Sequence, residues 1–228
     1  MHAIFDLDGT LTDSVAHNTA ILNVMLADRG SIRRLEPTDV RPFISVGGEG
    51  MMAAVLGSEC KAPAEEIAEF RARYGEMPTP PDCLFQGVVE GLDSLVASGI
   101  ALSICSNKPQ ALCEKVLTEL GIADRFTAIV GGQPGHQPKP APDLLNRVLE
   151  LAECSKASCC FVGDSEPDLL TARAVGMPFI LASYGYTDQA KLFKDALPCA
   201  CFEDVVAAVN KLLVRPDVTR TAWSKAAA

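Results

Sequence analysis

The stretch "SCCFVGDSEPDLLTARAVGMPFILAS", residues 158–183, decides the fold. Residues 158–164 are a short apolar run that ends in an acid, the pattern of a buried strand. Residues 166–175 carry helical spacing, and residues 177–183 read as a second strand. A strand, a helix and a strand in close succession argue for parallel pairing with a helical crossover. The alternation extends upstream. Residues 88–98 look helical, "GIALSICSN" (99–107) looks like a buried strand, 110–120 is helical, about 126–131 is a strand, and 142–153 is helical. Downstream, helix signals recur at 188–194 and 203–213. The first strand, 2–6, lies far from the rest. Between them sits a helical block in which Val15, Ile21, Leu22, Met25 and Leu26 recur at helical spacing, followed by helical patterns at 49–56 and 64–74. Asp13-Ser14 supplies an N-cap signal for its first helix. The Pro-rich "EMPTPPDC" (76–83) closes the block. This is the signature of a helical domain inserted after strand one. The closing "RPDVTRTAWSKAAA" (215–228) has no periodic pattern and reads as a loose tail.

Composition narrows the class. The 228 residues are 48% hydrophobic and 21% charged, ordinary for a water-soluble globular protein. The net charge is -9 and no Lys/Arg-rich run occurs, so nucleic-acid and anionic-membrane partners have no electrostatic footprint. No apolar run is long enough for a membrane span, and Asp6 interrupts the opening apolar stretch, which excludes a signal peptide. Nine cysteines show no CxxC pair and no zinc spacing, consistent with reduced thiols. The expectation is a cytoplasmic protein, monomer or homodimer.

Four candidate sites fall at or beyond the ends of four expected strands. They are Asp6-x-Asp8, Ser106-Asn107-Lys108, Lys139, and Gly163-Asp164. In an open parallel sheet the ligand crevice lies outside the carboxyl ends of the strands, so these sites converge. Phosphoryl transfer needs an in-line nucleophile, cations on the phosphoryl oxygens and a proton for the leaving alkoxide. Asp6 and Asp164 supply carboxylates for magnesium, Ser106 and Lys139 hold phosphoryl oxygens, and Asp8 handles the proton. A calcium-loop reading of "DLDGTLTDSVAH" fails, because its sixth and twelfth positions are Leu11 and His17.

The combination "FDLDGTLTDS" (5–14), "CSNKP" (105–109), "KPAPDLL" (139–145) and "GDSEPDLLTARAVGMP" (163–178), with "YGY" at 184–186, resembles the haloacid dehalogenase superfamily of phosphatases in its helical-cap branch. Phosphoglycolate phosphatases look nearest. The resemblance implies Asp6 as nucleophile and Asp8 as general acid and then base, with a backbone carbonyl for magnesium. It implies phosphate binding by Ser106 and Lys139, with Asn107 and Lys108 bordering the pocket. Asp164 completes the metal site and Asp168 supports it from behind. Asp8 disfavours dehalogenation, since a halide leaves without a proton. Phosphonate hydrolases use a cap lysine, and 14–83 holds only Lys61. Sugar phosphomutases of this group carry a His where this chain has Asn18. "FISVGGEGMM" (43–52) resembles a cap substrate loop, making Gly47, Gly48 and Gly50 candidates for specificity. Arg33, Arg34 and Arg41 are candidates for a substrate carboxylate.

The expectation is an α/β protein: a Rossmann-like three-layer core with a parallel sheet (1–13 and 84–228) and an inserted helical cap (14–83). It is a Mg2+-dependent phosphatase of a small phosphorylated metabolite, phosphoglycolate first, acting through an aspartyl-phosphate. The alternatives are a sugar-phosphate phosphatase, a pyrophosphatase, a phosphomutase or, remotely, a non-catalytic scaffold.

Overall fold

The computed structural model describes residues 1–45, 47–186 and 196–214. The helix expected at 188–194 and the tail at 215–228 lie outside the described residues. The chain divides into two compact units, Asp13–Cys83 and a second made of Met1–Thr12 with the chain from Leu84 onward.

The second unit is built on six parallel strands: β1 (His2–Phe5), β2 (Ala101–Pro109), β3 (Phe126–Gly132), β4 (Cys159–Gly163), β5 (Phe179–Ala182) and β6 (Leu197–Cys199). Their order in the sheet is β3-β2-β1-β4-β5-β6. Every residue of β1 and β4 is buried, as expected of parallel strands covered on both faces. The order reverses between β1 and β4, and ligands bind at such a switch point in doubly wound sheets.

The unit's helices are α5 (Val88–Ala97), α6 (Gln110–Glu119), α7 (Asp143–Leu151), α8 (Glu166–Val175) and α9 (Phe202–Val214), numbered after four in the other unit. Side chains alternate faces along a strand. Ile4 packs in one cluster with Leu144, Leu145 and Val148 of α7 and with Leu169 and Ala172 of α8. Its neighbour Phe5 faces the other way, 6.1 Å from the Phe202 ring of α9. The sheet is therefore sandwiched, and a side chain two residues beyond Ile4 emerges on the α7/α8 side. That residue is Asp6.

One strand boundary is corrected, one strand is new, and the cap of α1 is narrowed to one residue. The strand expected from 99 starts at Ala101, because Gly99 takes a left-handed φ of 76° and Ile100 donates to Leu95 to close α5. The strand β6 has no sequence signal: it is three residues long and carries a proline, which an edge strand tolerates. The helix α1 (Val15–Asp28) is capped by Asp13, whose Oδ1 accepts the Val15 N–H at 3.2 Å, and the Ser14 side chain makes no cap bond.

The unit Asp13–Cys83 holds α1, α2 (Pro37–Val40), α3 (Gly48–Leu56) and α4 (Pro63–Glu76). Four-residue α2 is too short to show a period. A reciprocal Glu36–Asp39 capping box with Pro37 at its first position specifies it instead. Arg29, which caps the end of α1, bridges Glu66 and Glu69 of α4, tying those helices together. Arg33, a candidate for a substrate carboxylate, is engaged elsewhere. Its guanidinium donates to the carbonyls of Val55 and Leu56 and caps α3.

The buried end of β1 makes the fold acid-sensitive. His2 Nε2 lies 2.7 Å from Ser103 Oγ of β2. Burial and the nearby N-terminal charge push its pKa down to about 4 from 6.5. The unfolded chain therefore binds a proton that the folded chain refuses, and His2 subtracts stability as pH falls from 6.5 towards 4. Urea denaturation at pH 7 and pH 4.5 should show wild type losing about 2 kcal/mol more than His2→Gln. Equal losses would refute the assignment.

Candidate active site

Asp6 continues β1 by one residue, its N–H donating to Val162 O of β4 at 2.9 Å. Its carboxylate emerges on the α7/α8 side and meets the ammonium of Lys139, 2.8 Å from Oδ1. Lys139 Nζ also reaches Asp168 Oδ1 of α8 at 2.6 Å and the Cys105 carbonyl of β2 at 3.1 Å. All three charged groups are buried. Asp168 is fully engaged, since its Oδ2 accepts from the N–H (3.1 Å) and hydroxyl (2.5 Å) of Ser165. That is the capping box that starts α8, so one side chain both caps the helix and anchors the lysine.

Lys139 is positioned from its backbone. Asn107 Oδ1 accepts the Lys139 N–H at 2.7 Å and Asn107 Nδ2 donates to the Lys139 carbonyl at 3.0 Å. The sequence places Asn107 at the edge of a phosphate pocket. In the structure its amide clamps the lysine backbone, and the peptide that follows, Lys139-Pro140, is cis. The neighbouring Lys108 points to the other acid, with Nζ 2.9 Å from Asp8 Oδ2. The two acids of Asp6-x-Asp8 thus face two different lysines. Ser106 is buried at the end of the same strand, and its Oγ accepts the Lys108 N–H at 3.3 Å.

Asp164 closes the site from β4. Its Oδ2 accepts the Tyr186 N–H at 2.7 Å. Carboxylate oxygens of Asp6, Asp164 and Asp168 lie within 4.8 Å of one another. The backbone is pressed against them. A Cβ on Gly9 would stand 2.3 Å from Asp164 Oδ2, and one on Gly185 would stand 2.4 Å from both Asp164 Cβ and the Gly9 carbonyl. Gly9 also takes a φ of 82°, so glycine is needed there twice over. Tyr184 and Tyr186 hold the same loop through hydrogen bonds from their hydroxyls to the Thr10 and Thr12 carbonyls. The backbone roles of Gly9, Gly185 and Cys105 escape residue-by-residue reading, because they depend on close approach and not on side-chain chemistry, and the tyrosine hydroxyls bond to carbonyls 174 positions away. Only the "YGY" similarity flagged that segment.

Burial raises Asp6 to about 6, against which Lys139 works, with Asp168 and Asp8 adding to the rise. Burial, then Asp168 and Asp6, hold Asp164 well above the usual carboxylate range. Burial pulls the Lys139 ammonium down, and Asp168 and Asp6 more than reverse that, so it stays charged. Four carboxylates (Asp6, Asp8, Asp164, Asp168) against two ammoniums (Lys108, Lys139) leave a surplus of two negative charges. One divalent cation on hard oxygen donors matches that surplus. The residues present fit such a cation, with Asp6 and Asp164 free to offer oxygens that Asp168 has already committed.

A model of the haloacid dehalogenase-like hydrolases matches residues 3–182, a span that holds the four acids and both lysines of the site. The chain belongs to that family. Among similar hydrolases is the phosphoglycolate phosphatase of Xanthomonas campestris pv. campestris (strain 8004), 35% identical over 184 residues, covering 80% of this chain and 83% of that one. The phosphoglycolate phosphatase of Xylella fastidiosa (strain 9a5c) is 35% identical over 217 residues, covering 94% and 92%. The crystal structure of a predicted phosphoglycolate phosphatase from Haemophilus somnus 129pt superposes with a TM-score of 0.80 at 26% identity, covering 91% of this hydrolase and 96% of that chain. Among the described residues, no helix is long and apolar enough to cross a membrane.

Proposed function

We propose that this hydrolase is a magnesium-dependent phosphatase of small phosphate monoesters, phosphoglycolate foremost, that works through an aspartyl-phosphate on Asp6. The observation that carries the reading is the separation of the paired acids, Asp6 facing Lys139 and Asp8 facing Lys108. The Asp6 oxygen attacks phosphorus and the ester oxygen leaves. Lys139 and the Ser106 hydroxyl take the phosphoryl oxygens. Asp8 gives the leaving alkoxide its proton and then accepts one from the water that hydrolyses the acyl phosphate. Asp6, Asp164 and the Asp8 carbonyl would hold the magnesium ion, which supplies charge neutralisation for the phosphoryl group. Asp168 and Asn107 keep Lys139 aimed.

Substrate choice is proposed for the Asp13–Cys83 unit. Gly47 and Gly48, with φ of 62° and 52°, open α3, and Gly50 follows two residues after Gly48. Together with Arg41 they offer a second anion site for a substrate carboxylate.

The test is phosphate release from a panel of phosphoglycolate, sugar phosphates, nucleoside monophosphates and pyrophosphate. A kcat/KM for phosphoglycolate at least about ten-fold above the others is expected, about 1.4 kcal/mol of discrimination. EDTA should abolish turnover and added magnesium should restore it. A preference for a sugar phosphate or pyrophosphate would move the substrate, and full turnover without divalent metal would refute the metal site.

A further inference from the structure

Two thiols away from the catalytic groups lie side by side. Cys159, the first residue of β4, has its Sγ 3.5 Å from Cys154 Sγ. Cys159 is buried in the core cluster between α7 and α8, while Cys154 is half-buried at its rim. Neither takes part in the chemistry above.

The backbone holds them together from both sides. At the end of α7, Glu153 adopts a left-handed φ of 48°, the sole non-glycine residue with positive φ among the described residues. Its N–H bonds to Glu150 and the Cys154 N–H bonds back to Leu149 at 3.1 Å. This is the glycine-type helix stop made without glycine, and it turns Cys154 back onto the helix. From there a single 3-10 turn, Lys156–Ser158, leads into β4. Ser155 braces the turn by accepting the Ala157 N–H on its Oγ and the Ser158 N–H on its carbonyl. The two sulfurs are in contact across a five-residue separation, 3.5 Å apart against the roughly 2.05 Å of a disulfide bond.

We propose that Cys154 and Cys159 form a modification site, a dithiol that peroxides convert to an intramolecular disulfide. Cys154 is the residue a peroxide reaches. Its sulfur displaces water from the peroxide and becomes a sulfenic acid, being oxidised by two electrons while the O–O bond is reduced. Cys159 then attacks that sulfur. The S–S bond forms, the S–OH bond breaks, and the Cys159 proton leaves with the hydroxide as water. Cys159 Sγ touches Cys154 Sγ at 3.5 Å, and its S–H also reaches the Ser155 carbonyl at 3.1 Å. Burial pushes the Cys159 thiol up to about 12, with Cys154 adding to the rise, so it is the poorer first nucleophile, and its 3.5 Å contact with Cys154 Sγ makes it the resolving partner. Closure shields both sulfurs from further oxidation, and an external thiol reopens the pair.

The full-length protein is treated with hydrogen peroxide, alkylated, digested with trypsin without reduction and analysed by mass spectrometry. Trypsin cuts after Arg147, Lys156 and Arg173, which places the two cysteines on separate peptides, 148–156 and 157–173. The expected product is these peptides joined, lighter by two hydrogens than their sum and separated by dithiothreitol. Cys160 shares the second peptide, so Cys160→Ser should keep the link. Cys159→Ser should abolish it and leave Cys154 trapped by dimedone as the sulfenic acid. Unlinked peptides carrying alkylated or sulfinic Cys154, or a link that survives Cys159→Ser, would overturn the proposal.

Discussion

Asp6→Asn is expected to yield a folded protein with less than about one ten-thousandth of wild-type turnover. The amide oxygen is a poor nucleophile, and no neighbour can substitute for it. Asp168 is committed to Lys139 and Ser165, Asp164 accepts from Tyr186, and Asp8 faces Lys108. The fold should survive because the β1–β4 ladder uses the backbone N–H of residue 6, which the variant keeps. In metal-free buffer at pH 7 the variant should even be more stable than wild type. Burial lifts Asp6 from 3.8 to about 6, so its charged form is disfavoured in the folded state, and above pH 6 the carboxylate subtracts stability. Removing it should return about 3 kcal/mol at most, from a shift that already includes the opposing pull of Lys139. Phosphate release and urea denaturation measure the two halves. Residual turnover above about one per cent would displace Asp6 as nucleophile, and a destabilised variant would show that the site is not strained by its own charge.

That strain explains which parts of the site the sequence reveals. The acids and lysines are legible because each stands at or beyond the end of an apolar run, and a parallel sheet gathers such ends. Asp6, Ser106, Lys139 and Asp164 needed only the strand pattern to be placed together. What those residues do to one another was less legible. Asn107 reads as a pocket residue, yet its amide holds the Lys139 backbone across 32 positions of sequence, a pairing that no local pattern encodes. Asp168 reads as support, which its bonds to Lys139 and Ser165 explain. Its second role, as cap of α8, is visible in "SEPD", a serine followed three residues later by an acid, though that signal by itself says nothing of the lysine. The edge strand β6 and the four-residue α2 escaped for a different reason: neither is long enough to show a period. The sequence offers Asp13 and Ser14 together as caps of α1, two adjacent residues with equal propensity, and the structure uses Asp13.

Lys139→Met should damage both activity and stability. The methionine keeps most of the volume, so packing is nearly preserved, and what is lost is the charge. That charge is 5% exposed and faces Asp6, Asp168 and the Cys105 carbonyl at once. Its removal leaves buried carboxylates facing one another without a counter-ion. Breaking a buried pair by deleting one partner costs about 3–5 kcal/mol, far more than the pair contributes relative to an apolar replacement. Turnover should fall by at least about a thousand-fold, since the phosphoryl oxygens lose a fixed cation in a water-poor site. The two losses can be told apart with magnesium. A divalent ion bound by Asp6 and Asp164 supplies positive charge to the same carboxylates, so added magnesium should stabilise Lys139→Met more than it stabilises wild type. It should not restore turnover, because the lysine's hydrogen bonds to the transferring group have no replacement. Urea denaturation with and without magnesium, beside phosphate release under the same conditions, reads both. A loss of stability below about 1 kcal/mol would mean that the carboxylates share a proton instead of a lysine. Equal stabilisation of variant and wild type by magnesium would mean that the cation and the ammonium do not serve the same charges.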